Sequence, residues 1–440
     1  MASDDADMLR SMGLRSIDDL FSDIPPSVRM KSLALPPGLA EQEVVAQVTE
    51  MLSANRTMAD MPTFLGAGLY DHFVPAAVRA ITSRAEFYTA YTPYQPEVSQ
   101  GMLQTLWEYQ SMICELTGMD AANTSMYDAS TALGEAARMA RRIHGGKIFL
   151  VPRALRWHRR SVLQNYTWGG GLLIKEVEYD RETGMLDLAD LKKHLTEDVC
   201  GVYVENPNFF GRLEEQLADI RAATDAPLVV GINPLAQTIL KKPADFGADI
   251  VLGEGQALGN AVNFGGPLLG IFACRQEHVR KMPGRVIGLT KDAEGHRAFC
   301  MTLQTREQHI RREKAMSNIC TNESLMAVAS ATYVAVLGAN GLRRVAADSM
   351  RKARDLAAAI RAIPGYEAPI FKGPHFNEFT LRHEDGYAPV HKALLAKGIH
   401  GGTPHARHLK ELGDYALFAV TERHTQEDLD RLLDVLRSVA

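Results

Sequence analysis

The sequence predicts an α/β protein: a large domain with a mostly parallel sheet over residues 91–330, preceded by a helical arm over residues 1–90 and followed by a small α+β domain over residues 331–440. Three observations carry this prediction. Short apolar, β-branched runs (KIFLVP, GLLIKEVEY, GVYVENP, PLVVGIN, ADIVLGE) alternate with helical or polar stretches, as parallel strands covered on both faces do. The C-terminal portion changes character, from the helical ATYVAVLGANGLRRVAADSMRKARDLAAAIRAI to strand-like FNEFTLR and YALFAVTE and then a closing helix. Finally, 440 residues suffice for two or three domains around large cores.

Composition narrows the class. A hydrophobic share of 46% with 23% charged residues excludes disordered and fibrous chains. The net charge of −5 gives no reason to expect nucleic-acid binding, which favours a small-molecule enzyme. Cys114, Cys200, Cys274, Cys300 and Cys320 are scattered without a C-x-x-C pair, the usage of reduced thiols. The acidic start MASDDADMLRSMG has no apolar core of a signal peptide, and no uninterrupted apolar run reaches the ~18 residues of a membrane span. A soluble, cytoplasmic protein without membrane partners is expected.

Within the arm, Ser16 with Asp18 and Asp19 starts a short helix that the pair Pro25 and Pro26 stops. EQEVVAQVTEMLSAN forms a second helix with Val44, Val48, Met51 and Leu52 on one face. The next segment is YTPYQPEVSQG, Tyr91 to Gly101. Pro93 and Pro96 fix φ and remove two donors, so an extended, polyproline-like loop is expected, with Tyr91, Tyr94 and Glu97 along one side. Ser99 is a candidate N-cap for a helix in which Leu103, Leu106, Trp107, Ile113 and Cys114 recur until Gly118. A polar aromatic loop braced by a helix suits the wall of an active site or a subunit contact, and equally a proline-rich surface connection.

The order FLGAG, YDHFVP, YTPYQPEVSQG, NTSMYD from Phe64 to Asp128, with LQTREQHIRREKAMSNICTNESL from Leu303 to Leu325, resembles the glycine decarboxylase (glycine cleavage system P-protein) family. Within that family it looks most like the A subunit of the two-subunit form. The resemblance spans nearly the whole chain and implies the fold-type I architecture of pyridoxal-phosphate (PLP) enzymes. It also implies a reaction: decarboxylation of glycine, with transfer of the aminomethyl group to the lipoyl arm of the H-protein.

Residue by residue, the resemblance is uneven. A helix starting near Ser130 presents free N–H groups and the hydroxyls of Ser130 and Thr131, an anion site that PLP-bearing relatives use for the cofactor phosphate; ordinary capping by Asp128 or Ser130 explains the same residues. His158 falls where relatives stack a histidine on the pyridine ring, although a histidine in a basic helix start needs no such role. Asn233 stands where many such enzymes have an aspartate that keeps the ring nitrogen protonated. The turn GEGQALGNAVNFGGP, Gly253 to Pro267, contains no lysine, and Gln256 lies at or beside the Schiff-base position. An amide forms no aldimine.

PLP is therefore expected to be bound covalently by a partner B subunit and not by this chain, in an assembly of two A and two B chains. Tyr91, Thr92, Tyr94, Gln95, Glu97, Ser99 and Gln100 are the candidates for a wall of the partner's site, with Arg311 and Arg312 at the interface. Two alternatives are an independent PLP enzyme using another lysine, such as Lys242, and a non-catalytic scaffold. The glycines Gly253, Gly255 and Gly259 have the wrong spacing for a dinucleotide loop. His400, His405 and His408 lack the helical pairing of a zinc site, so no metal is expected.

Overall fold

The computed structural model describes residues 2–30, 32–405 and 409–439, and the chain divides into two compact units, Met1–Thr57 and Met58–Ala440. The first unit holds helix α1 (Ala2–Ser11), a 3-10 turn over Ile17–Phe21 and helix α2 (Glu41–Leu52). Asp19 supports the turn's start by accepting from the Arg15 and Ser16 N–H groups. None of this unit's described residues from Asp4 to Thr57 is buried, and Val44, Val48, Met51 and Leu52 are all exposed.

Residues 58–90 lie in the second unit. There helix α3 (Gln100–Thr117) buries Met102, Leu103, Leu106, Tyr109, Gln110 and Ile113 at helical spacing. It stops at Gly118, whose φ of +74° is left-handed and suits a residue without a Cβ. Strand β1 (Ala121–Ala122) leads to helix α4 (Ala129–His144), which packs a run of small residues against the sheet. Then follow β2 (Ile148–Pro152), helix α5 (Trp157–Trp168), β3 (Leu173–Val177), β4 (Val199–Asn206), β5 (Leu228–Ile232), β6 (Ile250–Glu254) and β7 (Gly270–Cys274).

The seven strands lie in the order β1-β7-β6-β5-β4-β2-β3. Strands β2 to β6 are parallel; β7 runs antiparallel to β6, and the edge strand β1 pairs antiparallel with β7. Every residue of β4, β5, β6 and β7 is buried, as in a sheet covered on both faces. The hairpin β8 (Val286–Lys291) and β9 (Arg297–Thr302) stands apart from this sheet.

Helix α6 (Ser324–Arg361) runs across residue 330, the limit expected between the large and small domains. It is broken at Gly338, with φ +60° and ψ 179°. Its length and composition would suit a membrane span, yet it buries Ala327, Val328, Tyr333, Leu342, Leu356 and Ile360, the face of a core helix. Its second half and helix α7 (Gln426–Val439) pack on an antiparallel sheet of β10 (Tyr366–Glu367), β11 (Glu378–His383), β12 (Thr403–Pro404) and β13 (Tyr415–Ala419), ordered β10-β11-β13-β12. All five cysteines are free thiols.

Candidate active site

In an open α/β sheet the ligand site lies beyond the carboxyl ends of the strands. Here those ends are Asn206, Ile232 and Glu254 of β4, β5 and β6, and a cleft there is lined by Tyr70, Arg156, Arg159, Glu205, Asn233, Glu254 and Glu378. Arg156 and Arg159 stand at the start of α5, one helical turn apart; Glu378 opens β11 of the small sheet.

The charges in this cleft pair with one another, while Arg156 Nη1 and Arg159 Nε are buried without a hydrogen-bond partner among the described residues. Arg156 Nη2 lies 2.8 Å from Glu378 Oε2, with both side chains buried. The same oxygen accepts from Tyr70 Oη at 2.7 Å, and Glu378 Oε1 accepts from the Ala67 N–H at 2.5 Å. Arg159 pairs with Glu205, which also accepts from Tyr203 Oη at 2.9 Å. Burial, reinforced by the neighbouring carboxylates, drives both phenols far above their ordinary range. Two guanidinium groups and two carboxylates thus form two buried ion pairs, beside the third buried carboxyl group, Glu254.

Gln256, expected at or beside the Schiff-base position, makes three side-chain bonds to backbone. Its Oε1 accepts from the Tyr70 N–H at 3.0 Å, and its Nε2 donates to Tyr70 O at 3.1 Å and Asn260 O at 2.7 Å. The amide pairs with Tyr70 as one peptide pairs with another across a ladder. Glu254, two residues earlier, accepts from the N–H groups of Ala129 (3.1 Å), Leu269 (3.0 Å) and Gln256 (3.1 Å). Burial pushes its carboxyl up to about 7.

These contacts decide how the cleft suits PLP. Capping accounts for the start of α4: Asp128 accepts from the Thr131 N–H at 2.7 Å and from its hydroxyl at 2.8 Å, while Glu254 takes the Ala129 N–H. Two acidic groups therefore stand where a phosphate would need donors, and Ser130 is buried in the first turn of α4. Asn233 Oδ1 caps the turn after β5 by accepting from Leu235 and Ala236 at 3.0 and 3.3 Å. His158 is held neutral, lowered to about 4 by burial and then by Arg159 and Arg156. The space left is about 30 Å³, against roughly 300–1,000 Å³ for small-molecule sites. Lys242, the alternative anchor, pairs with Glu115 at 2.7 Å outside the cleft. The described residues of this cleft do not fit PLP.

The residues expected to form a wall lie elsewhere. None of Tyr91, Thr92, Tyr94, Gln95, Glu97, Ser99 and Gln100 lines the cleft. Residues 96–98 form a 3-10 turn, not a continued polyproline strand, because Pro96 at the first position needs no N–H there; the threefold repeat that would align Glu97 with Tyr91 and Tyr94 ends. Ser99 occupies the N-cap position of α3 without a side-chain cap bond. Gln100 instead donates to Pro96 O at 2.8 Å and exchanges two bonds with Phe299 of β9, each 2.9 Å. It is a clamp on the hairpin. Tyr94 Oη accepts from Arg285 at 3.1 Å, whereas Tyr91, Gln95 and Glu97 are exposed and Thr92 is half-buried.

Arg311 and Arg312 are exposed, with Arg311 donating to Thr305 O at 3.2 Å. The buried arginine of that run is Arg306, which binds the carbonyls of Leu303 and Gly284 at 3.1 and 3.0 Å. His400 pairs through its backbone with Pro62, and the His405 ring lies 5.6 Å from that of Tyr415; His408 is outside the described residues. Sequence reasoning missed Tyr70, Arg156, Arg159, Glu205 and Glu378. The available signals were the i, i+3 arginines of LRWHRR and glutamates set among the apolar residues of two buried strands.

Comparison with known proteins places the chain in a family. The family described as "Glycine cleavage system P-protein" matches residues 1–436. The protein of Pyrococcus abyssi named "Probable glycine dehydrogenase (decarboxylating) subunit 1" is 49% identical over 98% of this chain and 97% of its own length. The protein of the same name from Carboxydothermus hydrogenoformans is 48% identical over 98% and 96%. A crystal structure of glycine decarboxylase (P-protein) of the glycine cleavage system, in inhibitor-bound form, superposes with a TM-score of 0.92 at 41% identity, covering 99% of this chain and 98% of that one. Glutamate decarboxylase of Lactobacillus brevis shares the fold alone, with a TM-score of 0.69 at 11% identity over 95% and 96% of the two chains. The fold is that of fold-type I PLP enzymes, and the chain belongs to the glycine cleavage system P-protein family.

Proposed function

We propose that this chain is the subunit of glycine dehydrogenase (decarboxylating) that carries no Schiff-base lysine, and that a second subunit binds PLP and performs the bond-breaking chemistry. The observation that carries this reading is Gln256: at or beside the position that would need an amine stands an amide whose donors and acceptor are spent on Tyr70 and Asn260. The substrate is glycine, which loses carbon dioxide while its aminomethyl group passes to the lipoyl arm of an H-protein. Two copies of each subunit form the enzyme, which acts in the cytoplasm.

This chain's part is to complete the second subunit's site from outside. Tyr94 suits that task because Arg285 orients it: the guanidinium lies 5.4 Å from the ring centre and 3.1 Å from the hydroxyl, and Glu307 lies 3.5 Å behind the same arginine. A group fixed before the partner arrives loses little entropy on docking. Glu97 and Tyr91 present a carboxylate and a phenol on the same exposed loop. An obligate contact of this kind buries roughly 2,000 Å² or more.

The test is to purify each subunit alone and the two together, and to assay glycine-dependent exchange of carbon dioxide. Exchange by the pair only is the expected result. Exchange by this chain alone, with PLP fixed on it by borohydride, would overturn the proposal, and full activity of the second subunit alone would reduce this chain to a scaffold.

A further inference from the structure

The motifs FLGAG and YDHF, conspicuous in the sequence and unused by the function above, thread the cleft. Phe64 joins the small sheet: its N–H donates to His400 O at 2.8 Å and its carbonyl accepts from the Ala419 N–H at 2.8 Å. Gly66 then passes so close to β11 and β13 that a Cβ there would sit 2.5 Å from the Cβ of Ala419 and collide with Glu378. Ala67 donates to Glu378, and Tyr70 bonds Gln256 through both backbone groups and Glu378 through its hydroxyl. Beyond it, Thr421 Oγ1 donates to Asp71 O at 2.8 Å, His72 Nδ1 lies 2.7 Å from Glu422, and the Phe73 N–H donates to Glu422 at 2.8 Å.

We infer that Gly66–His72 is a built-in plug, which fills the cleft with the chain's own backbone and ties the seven-stranded sheet to the four-stranded one where relatives of this fold place a cofactor. Gln256, just beyond β6, holds one side of the segment; Glu378 of β11, with residues 421 and 422 beyond β13, holds the other. Arg156 closes the tie from the start of α5 by pairing with the carboxylate that also receives the plug. Tyr70 and Gln256 are 186 residues apart and Tyr70 and Glu378 are 308 apart, so the segment staples distant parts of the chain. The inference concerns this chain's own closure and rests on the proposed reading that PLP is held by the second subunit.

The experiment is hydrogen exchange on the full-length chain, followed at the Ala67 and Tyr70 amides. Both are expected among the slowest to exchange, and Gln256→Ala is expected to speed the Tyr70 amide by roughly tenfold or more while leaving α7 unchanged. Equal protection of Tyr70 in the variant and the parent would overturn the inference. A second arm needs no variant: millimolar PLP added to the unmutated chain should leave exchange across Gly66–His72 unaltered. Faster exchange there on addition of PLP would mean that the segment is displaceable and would overturn the plug. The carbon dioxide exchange assay of the two-subunit enzyme tests the function independently of that outcome.

Discussion

The cleft beside Gln256 and the loop Tyr91–Ser99 are both polar and aromatic, and they use those groups in opposite ways. In the cleft, Tyr70, Arg156, Glu378, Arg159 and Glu205 bond one another and are buried. On the loop, only Tyr94 is fixed, by Arg285, and Tyr91, Gln95 and Glu97 face outward. The difference teaches that a site inherited with a fold becomes structural when its charges find internal partners, while side chains available to a neighbour sit where none is supplied. Each region therefore answers to a different measurement, stability for the cleft and turnover of the assembled enzyme for the loop.

The largest effect expected is on the buried pair. Arg156→Met leaves the Glu378 carboxylate without its cation and should cost about 3–5 kcal/mol in denaturant unfolding of the full chain. Glu378→Leu should cost as much, and the double variant clearly less than the sum. Additive losses would break the comparison by showing that the two charges do not depend on each other. Next comes Gln256→Lys. A lysine cannot accept from the Tyr70 N–H, so about 1–3 kcal/mol should be lost, and borohydride should still fix no PLP on this chain. A fixed cofactor would show that the amine alone was lacking.

Smaller still is a pH effect. Burial and the adjacent arginines hold His158 neutral down to about pH 4, whereas the unfolded chain takes up the proton near 6.5. Its contribution is intact above about pH 6.5 and is lost as pH falls toward 4. His158→Gln should flatten that part of the stability curve relative to the parent. The smallest stability changes belong to the loop: Glu97→Gln should stay within about ±0.5 kcal/mol and Tyr94→Phe should lose about 1 kcal/mol or less, yet both should lower glycine-dependent carbon dioxide exchange in the two-subunit enzyme. Unchanged exchange in both variants would make the loop a plain surface connection.

The parallel strands were legible because a sheet buried on both faces must be written in runs such as PLVVGIN, and α3 because its apolar residues recur at helical spacing. The pairings in the cleft were not. Arg156 and Glu378 lie 222 residues apart, and nothing local to LRWHRR or NEFTLR reveals that one answers the other. Arg306 and Arg311 look alike within one charged run; burial against the carbonyls of Leu303 and Gly284 separates them, and only tertiary structure supplies it. The 3-10 turn at Pro96 and the break at Gly338 depend on backbone choices that a threefold or 3.6-residue pattern does not resolve.

The plug has a consequence for how such an enzyme is built. A protein whose interior is completed by a diffusible coenzyme gains stability in proportion to the logarithm of that coenzyme's concentration. Under the proposed division of labour, a chain that fills this place with its own Tyr70 and Gln256 has no such term. On that proposal its folding is independent of coenzyme supply, and its unfolding midpoint should be the same with and without added PLP.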